Sequence, residues 1–167
     1  MGRRGVTLLR MNLKRIRFAL ALPAGVLVMV AFTGFFEGLG KQAFPPSQEM
    51  LDAIALLQKG DEGARDALAA AMNGTPFGAL AVVVLAWTLG AALGAFAACR
   101  VGGANFTPLS IAIAVVSVVF IAMNFVLIPH PVWMIAAGVV IPPAAAIGAG
   151  RFASGLAQGQ GGRASIG

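Results

Sequence analysis

Charged residues are scarce in this chain: Asp, Glu, Lys and Arg together make up 11% of its 167 residues, whereas hydrophobic residues make up 59%. The mean hydropathy is +0.88. A water-soluble fold of this size has too little interior to bury so much apolar surface. The composition therefore predicts a protein that resides in a lipid bilayer.

Cysteine and histidine are also scarce, with one of each, Cys99 and His130. One cysteine cannot form a disulfide within the chain, and one histidine cannot supply a haem pair or a three-histidine metal site. No glycine-rich phosphate loop precedes a lysine, and no serine has a histidine near it in the sequence to act as a base. We therefore expect no cofactor, no metal site and no enzymatic activity.

Basic residues outnumber acidic ones, and the net charge is +6. Half of the twelve basic residues precede the first apolar run: Arg3, Arg4, Arg10, Lys14, Arg15 and Arg17. Nucleic-acid-binding proteins instead place their basic residues on a polar face. This cluster is typical of a segment that faces anionic lipid next to a membrane span. The expected partner is the lipid bilayer and not a nucleic acid.

Four stretches are apolar and long enough to cross about 30 Å of hydrocarbon as helices. They cover roughly residues 18–37, 77–99, 108–128 and 132–150. Pro76 and Pro108, each after a threonine, mark two of the starts, since proline is tolerated in the first helical turn. The predicted fold is all-α, a bundle of four transmembrane helices that spans residues 18–153.

The charges of the connecting segments predict the orientation. The basic N-terminus (1–17), Arg100, and the tail with Arg151 and Arg163 fall on one side of a four-helix scheme. The outer loop 38–75, taken with Glu37, contains all six acidic residues and three basic ones. Lys and Arg collect in cytoplasmic loops. We therefore expect a multi-pass protein with both termini cytoplasmic, and a disordered tail at 154–167 rich in Gly and Gln.

The outer loop contains signals for two short helices. Ser47 follows two prolines as an N-cap, and Gly60 follows Lys59 as a helix end. A second helix is predicted from Asp61 to Gly74. Each helix has an apolar face, formed by Met50, Leu51, Ile54 and Leu57 in the first and by Leu68, Ala71 and Met72 in the second. The sequence predicts a helical hairpin that rests on the extracytoplasmic face of the bundle.

Small residues recur every four positions along the second transmembrane helix, at Ala86, Gly90, Gly94 and Ala98. Such stripes allow helices to approach closely in lipid. Two uses remain open, a seam within this chain and a homodimer interface. In the last helix, Pro142 and Pro143 are expected to bend or break the helix, because both lack an N–H donor.

Two ionisable residues are candidates for function. Glu37 is predicted to lie where the first helix leaves the bilayer, one turn before Lys41, either as the partner of that lysine or as a carboxylate that couples to protons or cations. His130 lies between two prolines in the tight turn between the third and fourth transmembrane helices. It is either a structural turn residue or a sensor of pH or metal.

Three segments together resemble a family of small four-helix bacterial membrane proteins of unassigned function. They are Gly34-Phe35-Phe36-Glu37-Gly38, Pro45-Pro46-Ser47-Gln48-Glu49-Met50 and Pro129-His130-Pro131-Val132-Trp133-Met134. The resemblance covers roughly residues 18–153. It implies a place in the bacterial inner (plasma) membrane and adds no catalytic residues.

Two functions remain open from the sequence. The first is a non-enzymatic membrane protein that scaffolds or binds partners in the membrane, as a homo-oligomer or with another membrane protein. The second is a small transporter or channel subunit that acts as an oligomer, with Glu37 as its coupling carboxylate.

Overall fold

The computed structural model describes residues 3–103 and 106–163, and the regular structure in these ranges is entirely helical. Six helices follow one another along the chain. They are α1 (Arg3–Ala43), α2 (Gln48–Lys59), α3 (Ala64–Gly74), α4 (Phe77–Gly102), α5 (Phe106–Leu127) and α6 (Val132–Arg163).

Four of these helices are long and apolar enough to cross a membrane. Their apolar segments are Ile16–Ala43, Phe77–Gly102, Thr107–Leu127 and Val132–Leu156. The predicted all-α fold with four potential membrane spans is thus confirmed. The first span differs from the prediction, because it continues six residues beyond Glu37 to Ala43. Glu37 therefore lies within the helix that could cross a membrane, six residues before its end.

Helix α4 is central, since it packs against α1, α5 and α6. Within its apolar window 44% of the residues are buried, against 17% in α1. Helix α5 packs on α6 and touches α1 only slightly, and in the described part of the chain α1 and α6 make no contact. The bundle is organised around α4, which packs most extensively against α1 and then against α6, while α5 packs mainly against α6.

The stripe of small residues on α4 faces α1. A Cβ atom added at Gly94 would lie 2.7 Å from the carbonyl oxygen of Gly25 and 2.7 Å from the Cβ of Met29. At Gly90 an added Cβ would collide with the Thr33 hydroxyl. Ala86 and Ala98, at the ends of the stripe, are 1% and 0% exposed. The stripe thus forms a seam within this chain, the first of the two uses left open above.

The hairpin between α1 and α4 has the predicted boundaries at most positions. Ser47 accepts a hydrogen bond from the Met50 N–H at 3.2 Å, and Gly60 ends α2 with a φ of 73°. Helix α3 starts at Ala64, three residues later than predicted. The reason is a turn in which the Asp61 carboxylate accepts the Gly63 N–H at 2.9 Å.

The two helices of the hairpin differ in how they use their apolar faces. Leu68, Ala71 and Met72 of α3 are buried as expected, and Arg65 donates to the Val126 carbonyl at the end of α5 at 3.1 Å. In α2 the fully buried residue is instead Ala53, and of the predicted face Met50 is partly buried against the core. The predicted face remains largely open, with Leu51, Ile54 and Leu57 between 38% and 46% exposed.

Both terminal segments are more helical than predicted. Helix α1 begins at Arg3, within the segment 1–17, and α6 continues to Arg163, so the described part of the tail is helical and residues 164–167 lie outside the described range. Pro142 and Pro143 do not break α6. Pro142 is fully buried, and neighbouring helices in such contacts compensate for the lost donors of a membrane helix.

Candidate functional site

A groove lies where α1 packs on α4 but barely touches α5, and it is called the α1–α5 groove below. Its volume is about 260 Å³. Because Gly34 has no side chain and an added Cβ would meet nothing within 4 Å, α1 leaves this space unfilled. The lining residues are Met29, Val30, Thr33, Gly34, Glu37, Trp87, Ser117, Phe120, Ile121 and Asn124.

The Glu37 carboxylate lies in this groove, bonded to α4. The indole Nε1–H of Trp87 donates to Oε1 of Glu37 at 3.0 Å. Trp87 is ten residues from Phe77, which places it about 15 Å along a helix about 39 Å long at 1.5 Å per residue. The hydrogen bond places the Glu37 carboxylate beside Trp87, away from both ends of α4. Among the described residues it forms no ion pair with Lys41, so the predicted pairing is replaced by the indole bond.

Packing on α5 and on the turn after it fixes the Trp87 ring. The ring is 6% exposed. Its centroid lies 5.8 Å from that of Phe125, with an interplanar angle of 68°, and 6.2 Å from that of His130. Edge-to-face contacts of this kind stabilise aromatic pairs. The indole N–H is thereby held in the direction of Glu37.

Three further polar side chains line the groove within the apolar spans. Ser117 donates to the Ala114 carbonyl at 2.8 Å. Thr33 and Asn124 make no side-chain hydrogen bond to any described residue, and no side-chain polar atom of this part of the chain is both buried and unsatisfied. The Thr33 hydroxyl is directed at Gly90 in the α1–α4 seam, whereas Asn124 lines the groove, where its amide can meet an occupant. In hydrocarbon an unsatisfied polar group costs several kcal/mol, so a polar occupant would stabilise this arrangement.

His130 also packs near Trp87, with ring centroids 6.2 Å apart. Its Nδ1–H donates to the Ile128 carbonyl at 2.6 Å, and its ring centroid is 5.1 Å from that of Phe125 in an edge-to-face contact. Burial lowers the pKa of His130 below its usual 6.5, and the bond to Ile128 opposes this with a smaller effect. The ring is therefore neutral at pH 7. Both ionisable candidates thus contact one tryptophan.

The chemistry available in the groove is that of a single carboxylate with neutral hydrogen-bonding neighbours. No group of three or more His, Cys, Asp or Glu side chains suited to a metal ion occurs in residues 3–103 and 106–163. The groove can accept hydrogen bonds and compensate one positive charge. Sequence reasoning named Glu37 but missed Trp87 and Asn124 as its neighbours. The available signal was that both are polar residues within predicted spans.

A second groove lies on the opposite flank of the α1–α4 seam, with a volume of about 230 Å³. Its lining is apolar throughout: Phe36, Leu39, Gly40, Ala43, Val82, Leu85, Ala86 and Leu89. It is called the apolar groove below. An apolar groove in a membrane span is filled by lipid chains without cost, so it gives no indication of a specific ligand.

Comparison with known proteins adds no relatives: no family model, no curated protein and no solved structure matches this chain. The resemblance to a bacterial family described above therefore stays a hypothesis. What is established is the class, a small all-helical protein with four helices suited to crossing a membrane.

Proposed function

We propose that this protein is a non-enzymatic membrane protein that binds a polar group of a membrane-resident partner or solute in the α1–α5 groove, with Glu37 as the binding carboxylate. The observation that carries the proposal is the position of Glu37 inside an apolar span, where only Oε1 is bonded within the described chain. Ionisable side chains in spans are costly and are retained mainly for function.

The packing of α4 supports the α1–α5 groove, and not the stripe of small residues on α4, as the surface that binds a partner. Gly90 and Gly94 are occupied by α1, so they are not free to pair with another chain. By contrast, Asn124 lines the groove, and its side chain makes no hydrogen bond to any described residue. Polar side-chain atoms that lack a hydrogen-bond partner in the described chain thus lie at the groove, on Glu37 and Asn124.

Photo-cross-linking in membranes tests this proposal. A benzophenone side chain is introduced at Phe120, which lines the groove and is 49% exposed, and at Val140 of α6 as a control that is 64% exposed and does not line the groove. We expect adducts specific to position 120 that are lost in Glu37→Gln. Identical adducts at both positions, or no effect of Glu37→Gln, would contradict the proposal.

A second candidate is a small transporter or channel subunit that acts as an oligomer, with Glu37 coupling proton or cation movement. The position of Glu37, beside Trp87 and away from both ends of α4, favours it. Proteoliposome flux measurements distinguish this candidate. Proton or cation flux that depends on Glu37 and is absent in Glu37→Gln would support it, whereas equal flux in both proteins would exclude it.

The proposed location is the bacterial inner membrane, with both termini in the cytoplasm. The orientation is based on the distribution of Lys and Arg over the segments that connect the four spans. The choice of membrane is based on the resemblance of three segments to a family of bacterial membrane proteins.

A further inference from the structure

We infer that the ligand of the α1–α5 groove is a primary or secondary ammonium group carried on an apolar chain that enters from the lipid. This inference rests on the proposed function and names the chemical class of its ligand. Three features of the groove lead to it: the sign of its charge, the kind of polar atom it offers, and the side on which it opens.

The sign of the charge selects a cation. Glu37 is the one charged side chain among the lining residues of the groove. In hydrocarbon a carboxylate is stabilised chiefly by a cation with which it forms a charge-assisted hydrogen bond. A phospholipid head group brings a phosphate next to its amine, and no lining side chain would compensate that negative charge. The ligand is therefore a cation without an attached anion.

The polar atoms of the groove select a cation that has N–H donors. The groove offers hydrogen-bond acceptors in the carboxylate of Glu37 and the amide oxygen of Asn124. A quaternary ammonium has no N–H and is bound best by the faces of several aromatic rings. The Trp87 ring is only 6% exposed, which leaves Phe120 as the one lining ring with a large exposed surface. A primary or secondary ammonium satisfies these acceptors, and a quaternary one does not.

The opening of the groove selects a cation with an apolar chain. Val30 and Phe120, at its edges, are each 49% exposed and lie within apolar spans. A ligand that enters between them comes from the hydrocarbon region. The volume of about 260 Å³ is smaller than the roughly 300–1,000 Å³ of pockets that enclose a drug-sized molecule. The ammonium and the first carbons of its chain fit inside, and the rest of the chain remains in the lipid.

The test compares two amphiphiles that differ only at nitrogen, dodecylamine and dodecyltrimethylammonium. The protein is placed in phosphatidylcholine nanodiscs as the Trp133→Phe variant, so that Trp87 is the sole tryptophan and its fluorescence reports on the groove. Glu37→Gln is added to this background. Glu49→Gln serves as the matched control, because it removes a carboxylate from exposed α2, outside the spans.

We expect a saturable change of Trp87 fluorescence with dodecylamine. Binding should weaken about tenfold in Glu37→Gln, the usual effect of losing one charge-assisted hydrogen bond, and should not change in Glu49→Gln. The trimethyl compound should bind at least about fivefold more weakly than the amine, since it lacks the N–H donors. Equal or tighter binding of the trimethyl compound would overturn the inference. So would binding that is independent of Glu37, which is simple partition into lipid.

A second variant covers the case in which Glu37→Gln does not fold. Gly34→Leu places a side chain into space that is open within 4 Å of the added Cβ and fills the groove. It should keep the helical circular dichroism and abolish dodecylamine binding, and retained binding would overturn the inference. Cross-linking at Phe120 that depends on Glu37 without any dodecylamine binding would uphold the proposed function and reject this ligand class.

Discussion

Trp87 is the residue that connects the polar groove to the turn at the end of the bundle. Its N–H bonds to Glu37, while its ring packs against Phe125 and His130. Because the ring is almost fully buried, neither contact can change without affecting the other.

Replacing Trp87 with phenylalanine should remove the donor to Glu37 and keep most of the ring packing. We expect the free energy of unfolding to fall by about 1–3 kcal/mol, because a carboxylate in an apolar span is left without its bond. In Glu37→Gln the amide oxygen still accepts the indole N–H and the costly carboxylate is gone from the span, so we expect little or no loss of stability. Unfolding by SDS in bicelles, followed by circular dichroism, measures both. An equal loss of stability in Trp87→Phe and Glu37→Gln would show that the hydrogen bond between Trp87 and Glu37 does not contribute to stability.

His130 should make the stability depend on pH. Burial lowers its pKa in the folded protein below the usual 6.5, so between these two values the unfolded chain binds more protons than the folded one. The free energy of unfolding should therefore fall as the pH is lowered from 7.5 to 5.5. The measurement is the same SDS titration at the two pH values. His130→Gln should show a smaller difference between them, and an unchanged difference would assign the pH dependence to other groups.

At the scale of helices, the close contact of α1 with α4 depends on Gly94. An added Cβ would lie 2.7 Å from the Gly25 carbonyl oxygen, and backbone atoms cannot move aside as a flexible side chain can. Gly94→Ala should lower the free energy of unfolding by about 1–3 kcal/mol. Gly148→Ala is the control, since its Cβ meets nothing within 4 Å and alanine favours a helix. A neutral Gly94→Ala would mean that α1 shifts freely on α4.

The helices can be predicted closely from the sequence, because the length of an apolar run and the cap residues at its ends act between residues that are near in sequence. Ser47 and Gly60 fix α2 through bonds to residues a few positions away. The end of α1 was placed too early because Glu37 was treated as leaving the bilayer, although Leu39 and Ala43 continue the apolar segment. Thr75 shows a similar limit: its hydroxyl bonds back to the Ala71 carbonyl of α3 and does not cap α4.

The groove could not be predicted in the same way. It exists because α1 packs on α4 without closing against α5, and that depends on contacts between residues far apart in the chain. The bond between Glu37 and Trp87 joins positions separated by 50 residues. A single sequence gives the ionisable residue as a candidate, but not the side chain that meets it.

At the scale of the whole molecule, the orientation in the membrane is open to a direct test. We expect Asp61→Cys, in the hairpin between α1 and α4, to react with a membrane-impermeant maleimide in intact bacterial cells, and Gln158→Cys, in the tail, to react only after lysis. Both are made in a Cys99→Ala background so that no other thiol is present. Labelling of position 158 in intact cells would reverse the proposed topology.

The two grooves flank the same seam, one polar and one apolar, and α1 forms one wall of each. Since α1 makes no contact with α6 in the described chain and touches α5 only slightly, the seam with α4 is its main attachment. A roll of α1 about that line must narrow one groove as it widens the other. Occupation of the α1–α5 groove and exclusion of lipid chains from the apolar groove are thus coupled. A roll of α1 that widens the first groove for a ligand narrows the second and displaces the lipid chains in it.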